Sequence, residues 1–99
     1  MRITSGTLKN RKIKSREGKE TRPTLERIKE AIFSIIGDKI TDARFLDLYS
    51  GTGNMAIEAL SRGAGRAVMI EQDKEALRII IDNVNDLKID GKCRAYKND

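Results

Sequence analysis

Phe45-Leu46-Asp47-Leu48-Tyr49-Ser50-Gly51-Thr52-Gly53-Asn54-Met55-Ala56 is the stretch that decides the fold of this 99-residue chain. A mostly apolar run of strand length passes into Gly-x-Gly and then directly into a helical pattern. Glycine at 51 and 53 allows a tight turn and admits a ligand where a Cβ would collide. Ala56 completes Gly-x-Gly-x-x-Ala, a nucleotide-site fingerprint whose last small residue lets the helix pack close to the strand. The pattern is weak in isolation. Its context strengthens it, because a second strand ends in an acid, Glu71, 18 residues past Gly53.

Outward from that loop, strand and helix alternate. Asn54–Arg62 carries Met55, Ala56, Ala59 and Leu60 on one face and stops at Gly63. Arg66–Glu71 is a second strand, too continuously apolar at Ala67-Val68-Met69-Ile70 to have one wet face. Asp73 caps a helix whose buried stripe is Leu77, Ile80, Ile81, Val84 and Leu87. A turn at Asp90-Gly91 precedes a third strand over Lys92–Tyr96, which holds Cys93 as a small buried residue. Strand–helix–strand–helix–strand at this spacing predicts parallel strands joined by right-handed crossovers, side by side in the order 3-2-1. The fold class is therefore α/β, half of a doubly wound parallel sheet.

Upstream, Pro23 suits the first turn of a helix, and Leu25, Ile28, Ile32 and Ile35 follow at helical spacing until Gly37. Before it lies a basic segment. Arg2, Lys9, Arg11, Lys12, Lys14, Arg16, Lys19 and Arg22 stand against Glu17 and Glu20, a net of +6 in residues 1–22. Residues 23–99 therefore sum to −1 in a chain of net +5. Such a block is suited to phosphates, since each cation that meets one releases a counterion, though a solvated tail has the same composition. Residues 2–5 and 10–14, around Gly6 and Asn10, read as a short hairpin too small to stand alone. The expected division is an arm over 1–22 and a core over 23–99.

Composition excludes several classes. No apolar run is long enough to cross a membrane, and no apolar stretch behind the basic start resembles a secretory leader. A single cysteine leaves no disulfide framework, and the lack of histidine removes the commonest general base and metal ligand. A reducing cytoplasm is the expected compartment. The loop lacks the Lys-Ser/Thr pair of a phosphate-cradling P-loop. Asp47, four residues before Gly51, would oppose a dinucleotide pyrophosphate, although a nicotinamide enzyme stays possible. Buried in an apolar strand, its carboxylate needs a partner, either loop N–H groups or a ligand cation. Glu71 is placed to accept ribose hydroxyls. A nucleoside with an ammonium and a sulfonium, S-adenosylmethionine, fits two carboxylates better than a pyrophosphate does.

Leu46-Asp47-Leu48-Tyr49-Ser50-Gly51-Thr52-Gly53 and Ile57-Glu58-Ala59-Leu60-Ser61-Arg62-Gly63-Ala64 closely resemble the first motif and helix of class I methyltransferases. With Met1-Arg2-Ile3, Arg11-Lys12, Arg22-Pro23-Thr24, Arg27 and Glu30, the whole chain resembles the RsmD-type family, which methylates guanine N2 in small-subunit ribosomal RNA. The resemblance implies a Rossmann-like fold and an S-adenosylmethionine site made by Asp47, Ser50, Gly51, Gly53 and Asn54. It adds Glu71 at the ribose, Gln72 beside the adenine, Asp99 at the adenine amino group, and Arg22 and Thr24 near the cofactor. It makes Arg2, Lys9, Arg11, Lys12, Lys14 and Arg16 the face toward ribosomal RNA or the small subunit. The family's Asn/Asp-Pro-Pro-Tyr/Phe catalytic element is missing, Pro23 being the one proline. The expectation is therefore an amino-terminal, cofactor-binding portion that is inactive by itself. Its Phe45–Tyr49 edge would invite dimerisation. A non-catalytic RNA-binding module and a DNA methylase of the same fold are the alternatives.

Overall fold

The computed structural model describes residues 2–15, 23–48 and 50–98, without the side chains of Pro23, Thr24 and Leu25. The apolar runs become strands β1 (Arg44–Leu48), β2 (Arg66–Glu71) and β3 (Cys93–Lys97), all parallel, with β2 in the centre. Helix α2 (Asn54–Ser61) links β1 to β2, and α3 (Lys74–Asp86) links β2 to β3. The order is the expected 3-2-1.

Alternation along the strands decides what each sheet face does. Phe45, Asp47, Ala67, Met69, Glu71, Cys93 and Ala95 share one face, because Phe45 pairs with Ala67 and Ala67 with Cys93. Helices α2 and α3 cover that face, where Ala67, Met69 and Cys93 are buried with Ala56, Ile57, Ala59, Leu60, Ile80 and Val84. On the other face Leu46, Leu48 and Tyr96 are exposed and Val68 and Ile70 are half-buried. β2 is thus better covered than β1, but with Val68 and Ile70 only half-buried its second face falls short of the burial its continuous apolar run predicts.

The amino-terminal segment joins the same core. Ile3 and Ile13 are both buried in it. The predicted hairpin contracts to a single antiparallel bridge, Arg2 with Lys12, closed by Ile3 N–H to Arg11 O (3.0 Å) and Asn10 N–H to Ile3 O (2.8 Å). The backbone between them makes a turn, with Lys9 N–H donating to Gly6 O (3.2 Å), and also bonds to α2. Thr7 N–H donates to Ser61 O (2.8 Å) and Leu8 N–H to Ser61 Oγ (2.9 Å). Gly6, at φ +88°, lies so close to α2 that a Cβ there would fall 1.9 Å from the Ser61 carbonyl oxygen.

Helix α1 (Pro23–Ile36) forms over the expected residues but buries a different face. Ile28, Ile32 and Ile35 are exposed, Ile35 at 84%, while Phe33 and Lys29 are buried. Two contacts set this rotation. Phe33 stacks on Phe45 of β1 with ring centroids 6.2 Å apart, and the Lys29 ammonium reaches Glu58 at 3.1 Å. In α3 a similar substitution occurs: Ile81 is exposed, and Asn83 takes a buried position at 2% exposure.

Candidate functional site

The loop after β1 is built by its own backbone. Ser50 N–H donates to Ile70 O across the sheet (3.0 Å), Gly53 N–H turns back to Ser50 O (2.9 Å), and Ser50 Oγ–H donates to Asp47 O (2.9 Å). Gly51 and Gly53 hold φ of +61° and +85°, the left-handed region that glycine occupies without strain. They differ in what a side chain would meet. At Gly53 a Cβ would press on Met69 Sδ at 3.1 Å, so this glycine serves packing. At Gly51 a Cβ would meet nothing within 4 Å, so this glycine faces open space beside the strand ends.

Two carboxylates flank that space, with different assignments. Glu71 is 7% exposed and is already engaged by backbone. Its Oε1 accepts from Gly51 N–H at 2.7 Å and its Oε2 from Asp73 N–H at 2.9 Å. The loop N–H anticipated for Asp47 thus goes to Glu71, because β2 ends one residue beyond the level of Leu48 and points its last side chain under the loop. A carboxylate has about four lone-pair sites, so Glu71 retains acceptor capacity for a hydroxyl. Asp47 is half-buried, and burial holds its carboxyl above the usual range, with Ser50 opposing and the Glu71 charge adding. A site with an acid in that condition gains most from a cation, which restores the ionised form.

The remaining expected contacts are placed as follows. Asn54 opens α2, but its Oδ1 accepts from Lys29 Nζ at 3.3 Å and so turns toward α1. Gln72 is exposed just past β2. Arg16, Arg22 and Asp99, and the side chain of Thr24, lie outside the described residues. Arg2, Lys9, Arg11, Lys12 and Lys14 are all exposed. Lys14 faces Asp86 at 3.6 Å, an exposed pair of little energetic weight.

Polar residues outside the predicted site tie the amino-terminal segment to α1 and α2, and one on α3 reaches the loop. Glu58 is completely buried on α2. Its Oε1 accepts from Thr4 N–H (3.0 Å) and Lys29 Nζ (3.1 Å), and its Oε2 from Ser5 N–H (3.1 Å) and Arg62 Nε (2.9 Å). Burial would raise this carboxyl, yet the Thr4 amide, Arg62 and Lys29 together hold it below the usual range. Glu30, hydrogen-bonded by Thr4 and paired with Arg62 at 2.9 Å, is also held low. Asn83 reaches the loop itself, donating to Thr52 O at 3.1 Å. A signal was present in both cases. Glu58 interrupts an apolar face and stands four residues before Arg62, and Asn83 falls between Ile80 and Val84 on the α3 stripe.

Comparisons with known proteins agree with this fold. The family described as conserved hypothetical protein 95 matches residues 1–99. "Putative rRNA methyltransferase YlbH" of Bacillus subtilis (strain 168) is 38% identical over the whole chain, which covers 54% of that protein. "Ribosomal RNA small subunit methyltransferase D" of Escherichia coli (strain K12) is 36% identical over 88 residues, 89% of this chain and 44% of its own length. The solved structure of yhhF from Escherichia coli superposes with a TM-score of 0.91 at 34% identity, over 100% of this chain and 53% of that one. A Salinibacter ruber RNA methyltransferase solved in complex with S-adenosyl-L-homocysteine shares the fold at a TM-score of 0.68 and 20% identity, over 79% of this chain and 50% of that one. The chain spans about half the length of the curated relatives it matches.

Proposed function

This chain belongs to the conserved hypothetical protein 95 family, and we propose that it forms the S-adenosylmethionine-binding part of a ribosomal RNA methyltransferase. The observation that carries the reading is the open face of Gly51 between a raised Asp47 and a buried Glu71. Asp47 would meet the ligand ammonium, Glu71 the ribose hydroxyls with its spare lone pairs, and Ser50, Gly51 and Gly53 the adjoining edge. Gln72, Asp99, Arg22 and Thr24 complete the proposed site, with Asn54 acting through its tie to Lys29. What the cofactor supplies is a methyl group on a sulfonium. In this reading the methyl acceptor would be the guanine N2 of small-subunit RNA.

The nucleic-acid partner follows from residues 1–22, the proposed arm, with residues 23–99 as the proposed cofactor core. Exposed Arg2, Lys9, Arg11, Lys12 and Lys14, joined by Arg16, would position phosphates without reading bases. The cytoplasm is the proposed compartment. The exposed Leu46 and Leu48 on edge strand β1 support association of two copies there.

Titration calorimetry with S-adenosylhomocysteine tests the cofactor reading. Saturable binding that is lost in Gly51→Val supports it. No heat at millimolar ligand, with RNA binding retained, would favour a non-catalytic RNA-binding module. In this reading these 99 residues bind cofactor without turning over, so methyl transfer to deproteinised small-subunit RNA would refute that part.

A further inference from the structure

Asn83 is two per cent exposed on α3 and uses both ends of its amide. Its Oδ1 accepts from Lys14 N–H at 2.7 Å, and its Nδ2 donates to Lys14 O at 3.0 Å and to Thr52 O at 3.1 Å. The amide orientation follows from chemistry, since the Lys14 N–H requires an oxygen and the two carbonyls require the nitrogen. Lys14 therefore has both backbone groups answered by one side chain, as a neighbouring strand would answer them. The third bond lands on Thr52, between the two glycines of the loop. A buried side chain thus ties the basic segment, α3 and the loop at one point.

We propose that Asn83 is a positioning residue for the cofactor loop, and that through it the backbone of the basic segment is a structural part of the cofactor site. The proposal rests on the reading of that loop as an S-adenosyl site. Gly51 and Gly53 are the residues with least conformational restraint of their own, and Thr52 is the carbonyl between them. Fixing that carbonyl removes rotational freedom that ligand binding would otherwise have to remove. The tie is to the Lys14 backbone, so it is independent of the charge on the Lys14 side chain, which faces Asp86 in solvent.

Calorimetry with S-adenosylhomocysteine on the 99-residue chain tests this, each variant first shown folded by circular dichroism. Asn83→Asp keeps an acceptor for Lys14 N–H but has no donor for Thr52 O, and Asn83→Ala removes all three bonds. Each should weaken binding about tenfold, the scale of one lost buried hydrogen bond. Lys14→Pro deletes the N–H that holds Asn83 in place and should weaken binding about threefold or more. Val84→Ala, a core truncation one residue away, loses stability but leaves the three Asn83 bonds in place and should stay within about twofold of wild type. Hydrogen exchange gives a second readout: the Gly53 amide, bonded to Ser50 O, should exchange faster in Asn83→Asp while mid-α3 amides do not. Binding within twofold of wild type in both Asn83 variants, or losses matched by Val84→Ala, would overturn the proposal. A wild-type chain that binds no S-adenosylhomocysteine instead overturns the cofactor reading, and the proposal falls with it.

Discussion

Replacing Glu58 with glutamine should destabilise the fold severely, by an amount the geometry allows one to work out. The groups that hydrogen-bond Glu58 are all donors: Thr4 N–H and Lys29 Nζ at Oε1, Ser5 N–H and Arg62 Nε at Oε2. A glutamine must turn its NH2 toward one of these sets. Either orientation opposes a buried donor pair, at about 1–3 kcal/mol for each donor left unsatisfied. The substitution also removes the charge facing Lys29, which is 2% exposed and keeps only Glu26, at 3.5 Å, among the ion pairs of the described residues. Breaking a buried ion pair costs about 3–5 kcal/mol, and Arg62 retains Glu30, so the expected loss is about 4 kcal/mol. A chain of this size has about 5–15 kcal/mol in total, and each kcal/mol moves Tm by about 4–8 °C. Urea unfolding followed by circular dichroism at neutral pH should therefore show a large fall in midpoint with the slope unchanged. The pH dependence supplies an independent check. Glu58 is held below the ordinary 4.5 in the fold, so its contribution is complete above that value and is lost as pH falls through the native pKa. The gap between wild type and Glu58→Gln should accordingly narrow in acid. Should Glu58→Gln not fold, Lys29→Met probes the same pair with Glu58 still held by Arg62 and two amides. A loss below about 1 kcal/mol in both variants, or a gap independent of pH, would refute the assignment of this cluster as a main tie between the amino-terminal segment, α1 and α2.

Three further outcomes are expected. Gly51→Ala should keep the fold at a cost of about 1–2 kcal/mol for its left-handed φ and lose S-adenosylhomocysteine affinity, whereas Gly53→Ala, pressed on Met69, should cost about 2–3 kcal/mol. Paired urea melts and calorimetry check both, and equal stability losses would contradict the two roles assigned to these glycines. Because Asp47 is held above its ordinary value without ligand, the ammonium-binding form is depleted in acid. Ligand affinity should rise by up to about tenfold per pH unit toward that raised pKa and then level, with proton release on binding below it. Asp47→Asn should flatten this profile and stabilise the unliganded chain, and a pH-independent affinity in the wild type would count against the ammonium contact. Finally, replacing Lys9, Arg11 and Lys12 by alanine should lower the slope of log affinity against log salt for single-stranded RNA by about 2, read by fluorescence anisotropy. An unchanged slope would remove these side chains from the RNA face.

Much of the fold was legible in the sequence because it depends on local periodicity. The strand positions, the helix after the glycine loop, the Asp73 cap and the parallel order follow from apolar spacing and from the crossovers that such spacing demands. So does Gly51, since a bare backbone at a strand end has few other uses. Pattern failed where a polar residue sat on an apolar stripe. The stripe of α1 suggested that Ile28, Ile32 and Ile35 face inward, but burial went to Lys29 and Phe33, whose partners Glu58 and Phe45 are distant in sequence.

The chain by itself therefore determined the architecture and the place of the loop, since periodicity and glycine chemistry act over a few residues. Tertiary structure decided which acid serves which purpose. Glu71, not Asp47, takes the Gly51 amide, because parallel register carries the end of β2 beneath the loop. It also decided that residues 2–15 of the basic segment pack on the core. Ile3 and Ile13 are buried, and Glu58, Ser61 and Asn83 answer its backbone. A backbone donor must find an acceptor wherever folding places one, and that requirement leaves no trace in the spacing of residues along a chain.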